Sequence, residues 1–316
     1  MILCLGPTPA LQRVMRFTNF TAGAVNRAVE TLDGVAGKAV NVAKVLQPLG
    51  ENPVVIGFAG GDSGQRLEAE LQRRKLRQQW VYVPAPTRQC ITLVDQAGGV
   101  VTELVEESRP VPLEAYHQLF ELVQNLLPAC RALVISGTLT PGAPPDFYAR
   151  CIALARQHGL LTVVDTQRTA LQAALSAQPT VIKPNRHELE ALLNRPLPDD
   201  AAVVDAMHKL HLEGAEVVLV SAGSAAVLLL ENGHLWQIRP PAITALNPIG
   251  SGDALTAALV ARRLKGDDWP VACRWGVAAG AANALTWMPG ELQLETVERL
   301  HAEVQISALA AASTGR

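Results

Sequence analysis

The run Asn247-Pro248-Ile249-Gly250-Ser251-Gly252-Asp253 leads straight into an apolar stretch of helical character, Ala254 to Leu259. Glycines there let successive backbone N–H groups turn toward one point, and the first turn of the helix adds the positive end of its dipole. That combination is an anion hole. An aspartate at its rim could accept the proton of a hydroxyl attacking a phosphoryl group, while the hole stabilises charge on the group in flight. A plainer reading makes Asp253 an N-terminal helix cap after a glycine turn, and the pattern alone does not choose between the two.

Lys183-Pro184-Asn185-Arg186-His187-Glu188 closes an expected strand and opens an expected helix. Ligands of open α/β sheets bind beyond the carboxyl ends of the strands. Asn185 and Glu188, three apart, share a helical face suited to hydrated Mg²⁺ and phosphate oxygens, and equally form a capping box; both can hold together. A third segment, Asp33-Gly34-Val35-Ala36-Gly37-Lys38-Ala39-Val40-Asn41, is a glycine turn into a helix with one cation and one amide, able to seat a polyol or a sugar phosphate. It is not a Walker A loop, because Ala39 stands where that motif needs Ser or Thr. The seven His have no spacing that suggests a metal or a nucleophilic triad.

The elements that must position these residues follow from alternation. Ile2 to Leu5, Val54 to Gly57, Ala132 to Ser136, Leu161 to Asp165, Thr180 to Lys183 and Val217 to Ser221 read as buried strands. Stretches of helical period separate them: Gly37 to Leu49 ending at Gly50, Leu113 to Leu127, Pro145 to His158, Arg186 to Leu193 and Asp253 to Leu264. This is the βαβ pattern of a mainly parallel sheet covered by helices, an α/β fold. Two regions break it. Residues of about 13–32 have no helical period, and 80–105 reads as short strands with Gln96-Ala97-Gly98-Gly99 turning a hairpin between Cys90 to Val94 and Val100 to Leu104. Together they predict a small β-appendage on a single domain spanning 1–316. The tail from Ala308 is expected to fray.

Composition removes other classes. In 316 residues, 49% apolar, 27 Lys+Arg offset 29 Asp+Glu for a net charge of −2. With no block of like charge, the footprint of a nucleic-acid or anionic-membrane binder is missing. The five cysteines lack CxxC spacing and read as reduced thiols of a cytoplasmic protein. No apolar run is long enough to span a bilayer, and the first residues do not form a signal peptide.

Taken in order, the motifs resemble the ribokinase-like sugar kinases of the PfkB family, almost end to end. The branch they are most similar to holds the 1-phosphofructokinases and tagatose-6-phosphate kinases. The residues that carry the resemblance are Thr8-Pro9-Ala10-Leu11-Gln12, Gly23-Ala24-Val25-Asn26-Arg27, Ala36-Gly37-Lys38-Ala39-Val40-Asn41-Val42-Ala43, Gly57-Phe58-Ala59-Gly60-Gly61, Thr87-Arg88 and Thr102-Glu103. They continue with Ser136-Gly137-Thr138-Leu139-Thr140-Pro141-Gly142, Asp165-Thr166, Lys183 to Glu188, Ser221-Ala222-Gly223-Ser224-Ala225-Ala226 and Gly250-Ser251-Gly252-Asp253.

The resemblance implies a three-layer α/β/α fold with a small β-sheet lid, and ATP with Mg²⁺ as the phosphoryl source. It implies Asp253 as base and the amides of Gly250, Ser251 and Gly252 as anion hole. Asn185 and Glu188 would organise Mg²⁺ and the nucleotide phosphates with Lys183 nearby. Ser221 and Gly223 would line the adenosine pocket, with Asn283 near the base. Gly37, Lys38 and Asn41 would hold the sugar, and Arg88, with Arg27 behind it, its phosphate. The lid would exclude water, leaving only weak ATP hydrolysis without sugar.

There are departures. Gln12 replaces the family's aspartate at the end of the first motif, keeping hydrogen-bonding capacity but not charge. Ala36, Ala39, Ala226 and Ala258 replace small glycines. The expected acceptor is a phosphorylated ketohexose, fructose 1-phosphate or tagatose 6-phosphate, and residue types do not separate the two. A kinase for a free sugar or nucleoside, or an idle sugar-phosphate sensor, are the alternatives; Arg88 and Lys38 favour an anionic acceptor. A dinucleotide oxidoreductase is disfavoured, since no GxGxxG follows the first strand. Expected partners are a phosphosugar and a second copy of the chain through the lid.

Overall fold

A computed structural model describes residues 1–309. Its first half runs β1 (Ile2–Leu5), β2 (Ala10–Phe17), β3 (Glu30–Ala36), α1 (Lys38–Leu46), β4 (Pro53–Ala59), α2 (Gly61–Arg73), β5 (Arg77–Tyr82), β6 (Arg88–Asp95), β7 (Val100–Val105), α3 (Leu113–Leu126), β8 (Ala132–Ser136), α4 (Phe147–Gln157) and β9 (Leu161–Asp165). It continues with α5 (Arg168–Ser176), β10 (Val181–Ile182), α6 (Arg186–Leu193), α7 (Asp200–Leu212), β11 (Val217–Val220), β12 (Val227–Glu231), β13 (His234–Arg239), α8 (Ser251–Leu264), α9 (Trp269–Ala284), α10 (Leu294–Glu303) and β14 (Gln305–Leu309).

The main sheet has ten strands in the order β14-β13-β12-β11-β10-β9-β8-β1-β4-β5. It is parallel from β11 to β5 and antiparallel at the β12–β14 edge. Strand periodicity explains its two covered faces. In β1, Ile2 and Cys4 enter one core with residues of α1, α8 and α9, while Leu3 and Leu5 enter the other with α3, α4, α5 and α7. Because the chain runs from β1 outward to β5 and then returns to β8, the order reverses between β1 and β8. The ends of β8, β9 and β10 open beside that reversal, where α/β sheets bind ligands.

The small sheet, β3-β2-β6-β7, departs from its expected extent. Its first two strands span Ala10 to Ala36 rather than about 13–32, its other two begin at Arg88, and Arg77–Tyr82 belongs to the main sheet instead, paired in parallel with β4. One face of β2 is seated on the body: Val14 packs with Val94 and Met288, against Leu32, Val101 and Trp287.

Three strands and several helices had no counterpart in the sequence reading. Glu231 pairs with His234 across Asn232 and Gly233, both left-handed at φ 47° and 77°, giving a two-residue hairpin turn. The tail expectation is corrected in part: Ala308 and Leu309 pair with Trp236 and Leu235 in β14, and the remainder lies outside the described residues. All five cysteines are free and buried. Among the described residues, no helix is long and apolar enough to cross a membrane.

Candidate active site

Asp253 sits in the first turn of α8 and is 5% exposed. The turn before it needs glycine: Gly250 has φ 84°, and a Cβ there would lie 2.8 Å from Pro289 Cβ. With the chain turned this way, the N–H groups of Gly250, Gly252 and Asp253 find no acceptor among the described residues. Ser251 differs from expectation. Its N–H is directed at Pro248 O at 3.2 Å, so the free donors are those of Gly250, Gly252 and Asp253.

Burial pushes the Asp253 carboxyl up to about 6, with Asp165 adding to the rise and Lys38, Lys183 and a hydrogen bond from Asn41 opposing it. That bond, Asn41 Nδ2 to Asp253 Oδ2 at 2.7 Å, fixes the carboxylate against α1. Asn41, which the family pattern assigns to the sugar floor, thus stands on Asp253. Its Oδ1 is buried without a partner, as are Ser136 Oγ and Thr166 Oγ1 at the ends of β8 and β9. Buried polar atoms of this kind call for a partner, and these three lie around the Asp253 and Asp165 carboxylates, Asn41 bonded to Asp253, Ser136 paired in register with Asp165 and Thr166 next to it in sequence.

The centre of charge is a residue the sequence reading quoted but gave no role. Asp165 ends β9 with 1% of its side chain exposed, and both expected lysines converge on it. Lys38 Nζ donates to Oδ1 at 2.8 Å, and Lys183 Nζ lies 2.9 Å from Oδ2 as an ion pair. Burial pushes the Asp165 carboxyl up, but the two ammonium groups outweigh it and hold it at about 2. For Lys38, burial pulls downward and the carboxylates of Asp165, Glu188 and Asp253 outweigh it, so it stays charged. A Cβ placed on Gly252 would lie 3.4 Å from Lys183 Nζ, which puts that ammonium beside the free amides.

Asn185 and Glu188 form the capping box that opens α6: Glu188 N donates to Asn185 Oδ1 at 2.8 Å, and Asn185 N to Glu188 Oε2 at 2.9 Å. The second carboxylate oxygen, Oε1, lies 3.5 Å from Lys38 Nζ and joins the cluster. Ser221 bridges to Asn185 in parallel register, and the exposed Gly223, at φ 59°, turns the chain just beyond it. Asn283 is placed differently from a base contact. It is fully buried, its Nδ2 donates to Ile249 O at 2.9 Å and lies 3.3 Å from Ser251 Oγ, and its Oδ1 accepts from Gly290 N at 2.8 Å. It braces the Gly250–Gly252 turn from behind.

Among the residues the family pattern assigns to the sugar, Gly37 has φ 103°, and a Cβ there would meet Pro9 Cα at 2.8 Å, so α1 starts hard against the β1–β2 connection. Arg88 opens β6 at the Ala10 end of β2, donating to Thr8 O at 3.2 Å; its Nε is buried without a partner. It shares a small cavity with Arg109, which sequence reasoning passed over for want of any motif. Gln12, 2% exposed, donates through Nε2 to Thr92 Oγ1 at 2.9 Å and shares the body-facing side of β2 with Val14. Arg27 is not brought to this cluster. It is exposed in the β2–β3 loop, beyond the Arg16 and Glu30 pair that ends the ladder.

A parallel sheet with its charged cluster at a reversal of strand order, and a carboxylate beside free helix-terminal amides and two lysine ammonium groups, is the arrangement that phosphoryl transfer calls for. The description pfkB family carbohydrate kinase matches residues 2–287, and the chain belongs to that family, whose members transfer a phosphoryl group to a hydroxyl. A tagatose-6-phosphate kinase of Staphylococcus epidermidis is 28% identical over 309 residues, covering 97% of this chain and 99% of that one. Phosphofructokinase-2 of Escherichia coli, in complex with fructose-6-phosphate, matches with a TM-score of 0.84 at 27% identity, over 95% of this chain and 98% of that one. A Thermotoga maritima protein described as a possible 1-phosphofructokinase shares the fold at a TM-score of 0.90 and 23% identity, over 98% of this chain and 99% of that one.

Proposed function

We propose that the protein transfers the γ-phosphoryl group of ATP to a hydroxyl of a phosphorylated ketohexose, tagatose 6-phosphate or fructose 1-phosphate, giving a ketohexose bisphosphate. The observation that carries this reading is the pairing of Asp253 with the free Gly250, Gly252 and Asp253 amides in one helix turn. Asn41 holds Oδ2 of the carboxylate, leaving Oδ1 to accept the proton of the attacking hydroxyl. The amides and the Lys183 ammonium stabilise the charge of the group in flight. Asp165, fixed between Lys38 and Lys183, keeps both ammonium groups aimed.

Mg²⁺ fits this site through phosphate oxygens and water. Among the described residues, no three His, Cys, Asp or Glu side chains could cage a metal, and Asp165 is already paired with two lysines. Glu188 and Asn185 are the residues placed to meet its hydration shell, and the ion would neutralise charge on the transferred group.

Arg88 is the phosphate grip, because a partly buried guanidinium with an unpartnered Nε is arranged to meet an oxyanion. Arg88→Ala is expected to raise KM for the phosphosugar by about tenfold or more, as loss of a charge-assisted bond implies, and to leave KM for ATP within about twofold. Steady-state kinetics in both substrates checks it; an unchanged sugar KM contradicts the grip. The reaction itself is tested by ³¹P NMR of Mg·ATP with each phosphoketose. A new phosphomonoester signal alongside ADP is expected, and ADP accompanied only by inorganic phosphate would contradict the transfer.

The small sheet leaves the edge strand β7 with Val100, Leu104 and Val105 exposed, and Val25 and Val29 exposed in the β2–β3 loop. An apolar sheet edge is stable in water when another copy covers it. Light scattering is expected to give about twice the 33.7 kDa chain mass; a monomer at micromolar concentration would contradict this association.

A further inference from the structure

Helix α1 carries Lys38, Asn41 and Lys44 at intervals of three, a polar stripe along one side of an otherwise apolar helix. The first two belong to the catalytic cluster. Lys44 faces the segment Trp287–Glu291 instead. Its side chain is 3% exposed, and its ammonium donates to Val35 O at 3.2 Å and Pro289 O at 2.6 Å, with Glu291 Oε1 3.8 Å away. Burial pulls this ammonium down to about 8, with Arg74 adding to the fall while Glu291 and Glu70 oppose it. A lysine is not kept at such a position by solvation; its protons must be taken by fixed acceptors.

What Pro289 touches shows what those bonds hold. A Cβ on Gly250 would lie 2.8 Å from Pro289 Cβ and 3.2 Å from Gly290 N, and a Cβ on Gly290 would lie 3.0 Å from Asn41 Cα. Pro289-Gly290 is thus a wedge between the anion-hole turn and the residue that orients the base. Gly290 N is tied to Asn283 Oδ1, and Trp287 is tied through its carbonyl to Asn247 Nδ2 at 2.8 Å. Next to the wedge, Met288 packs on Val14 and Val94 of the small sheet, and Arg16 lies over the Trp287 ring at 4.2 Å.

We infer that Lys44 is a positioning residue for phosphoryl transfer: by fixing Pro289 O it holds the wedge, and with it the placement of the Gly250–Gly252 amides against the Asn41 and Asp253 pair. It touches neither substrate. The inference rests on the kinase reading above, and two measurements separate the fate of each. Hydrogen exchange followed by mass spectrometry needs no substrate. In Lys44→Met the hydrogen-bonded amides of the 249–253 segment, Ile249 N on Asn247 Oδ1 and Ser251 N on Pro248 O, are expected to exchange about tenfold faster or more, with the strands β1, β8 and β9 unchanged. Uniform acceleration through the sheet, or no change at 249–253, would overturn the positioning role.

In steady-state kinetics the same variant is expected to lose about tenfold or more in kcat, the scale of a displaced catalytic geometry, with both KM values within about threefold. A folded Lys44→Met with the kcat of the unmodified protein would overturn the inference, as would a change confined to KM. Glu291→Gln, which removes the distant ion pair but neither carbonyl bond, is expected to keep its kcat; a loss equal to that of Lys44→Met would assign the effect to charge and overturn the wedge. Should Lys44→Met fail to fold, Pro289→Gly carries both readouts with the same expected and contradicting results. If the unmodified protein turns over no phosphoketose, the kinase reading fails while the exchange measurement still decides the wedge.

Discussion

Asp253→Asn is expected to lower kcat by about a hundred- to ten-thousandfold, the range a positioned general base supplies. The amide keeps the shape of the side chain and a partner for Asn41, but it cannot take a hydroxyl proton. Thermal stabilisation by Mg·ATP and by the phosphosugar should persist in the variant, because the amides, Lys183 and Arg88 are untouched. A pH profile of the unmodified protein gives an independent check. The carboxyl is pushed up to about 6, and a base works only when deprotonated. Then kcat/KM should be flat above neutral pH and fall tenfold per unit below about 6, a limb absent from the residual activity of the variant. Residual activity in Asp253→Asn close to that of the unmodified protein would remove Asp253 from the role of base.

The second large effect belongs to Asp165→Asn. This buried carboxylate is shared by two ammonium groups, and its loss leaves Lys183, with 4% of its side chain exposed, without a counter-charge. Breaking a buried pair from one side costs about 3–5 kcal/mol, against a typical total stability of about 5–15 kcal/mol. Urea unfolding should show that loss near neutral pH, and a change under about 1 kcal/mol would mean the cluster is better solvated than its burial suggests. The sign with pH follows from the depressed carboxyl. Held at about 2 in the fold against an ordinary 3.8, Asp165 contributes its stability above about pH 4, and the contribution fades as the pH falls from there toward 2. The difference between the two proteins should therefore shrink in acid.

How much of this was legible in the sequence depended on whether a local signal existed. Helix α6 was bounded at Arg186 and Leu193 because both ends are written locally, by the Asn185 and Glu188 box and by Asn194 turning left-handed at φ 49°. The central strands were legible as β-branched runs. Helix α9 was not, because it is buried on nearly every side and small residues fill it, so it has no polar face to create a period. The β12–β13 hairpin had a readable Asn232-Gly233 turn, and the long apolar run before it concealed where one strand ended.

The site divides the same way. Asp253 and its glycines announce themselves by adjacency, as does Lys183 with Asn185. Asp165 does not, since its two lysines are 127 and 18 residues away and meet it only when the sheet order sets β9 between β8 and β10. The placement of Asn41 on Asp253 is of the same kind, a contact across 212 residues. Arg27 shows the converse: a motif neighbour in sequence that the β2–β3 hairpin carries away from the cluster.

The most direct test of the central claim is a coupled ADP-release assay with Mg·ATP against tagatose 6-phosphate, fructose 1-phosphate, fructose 6-phosphate, fructose, ribose and adenosine, run beside Asp253→Asn. The account predicts that a phosphoketose gives by far the highest kcat/KM, that ATP alone gives a weak rate, and that the variant loses the phosphoketose rate. Higher turnover on a free sugar or on adenosine, or ADP release unaffected by Asp253→Asn, would contradict it.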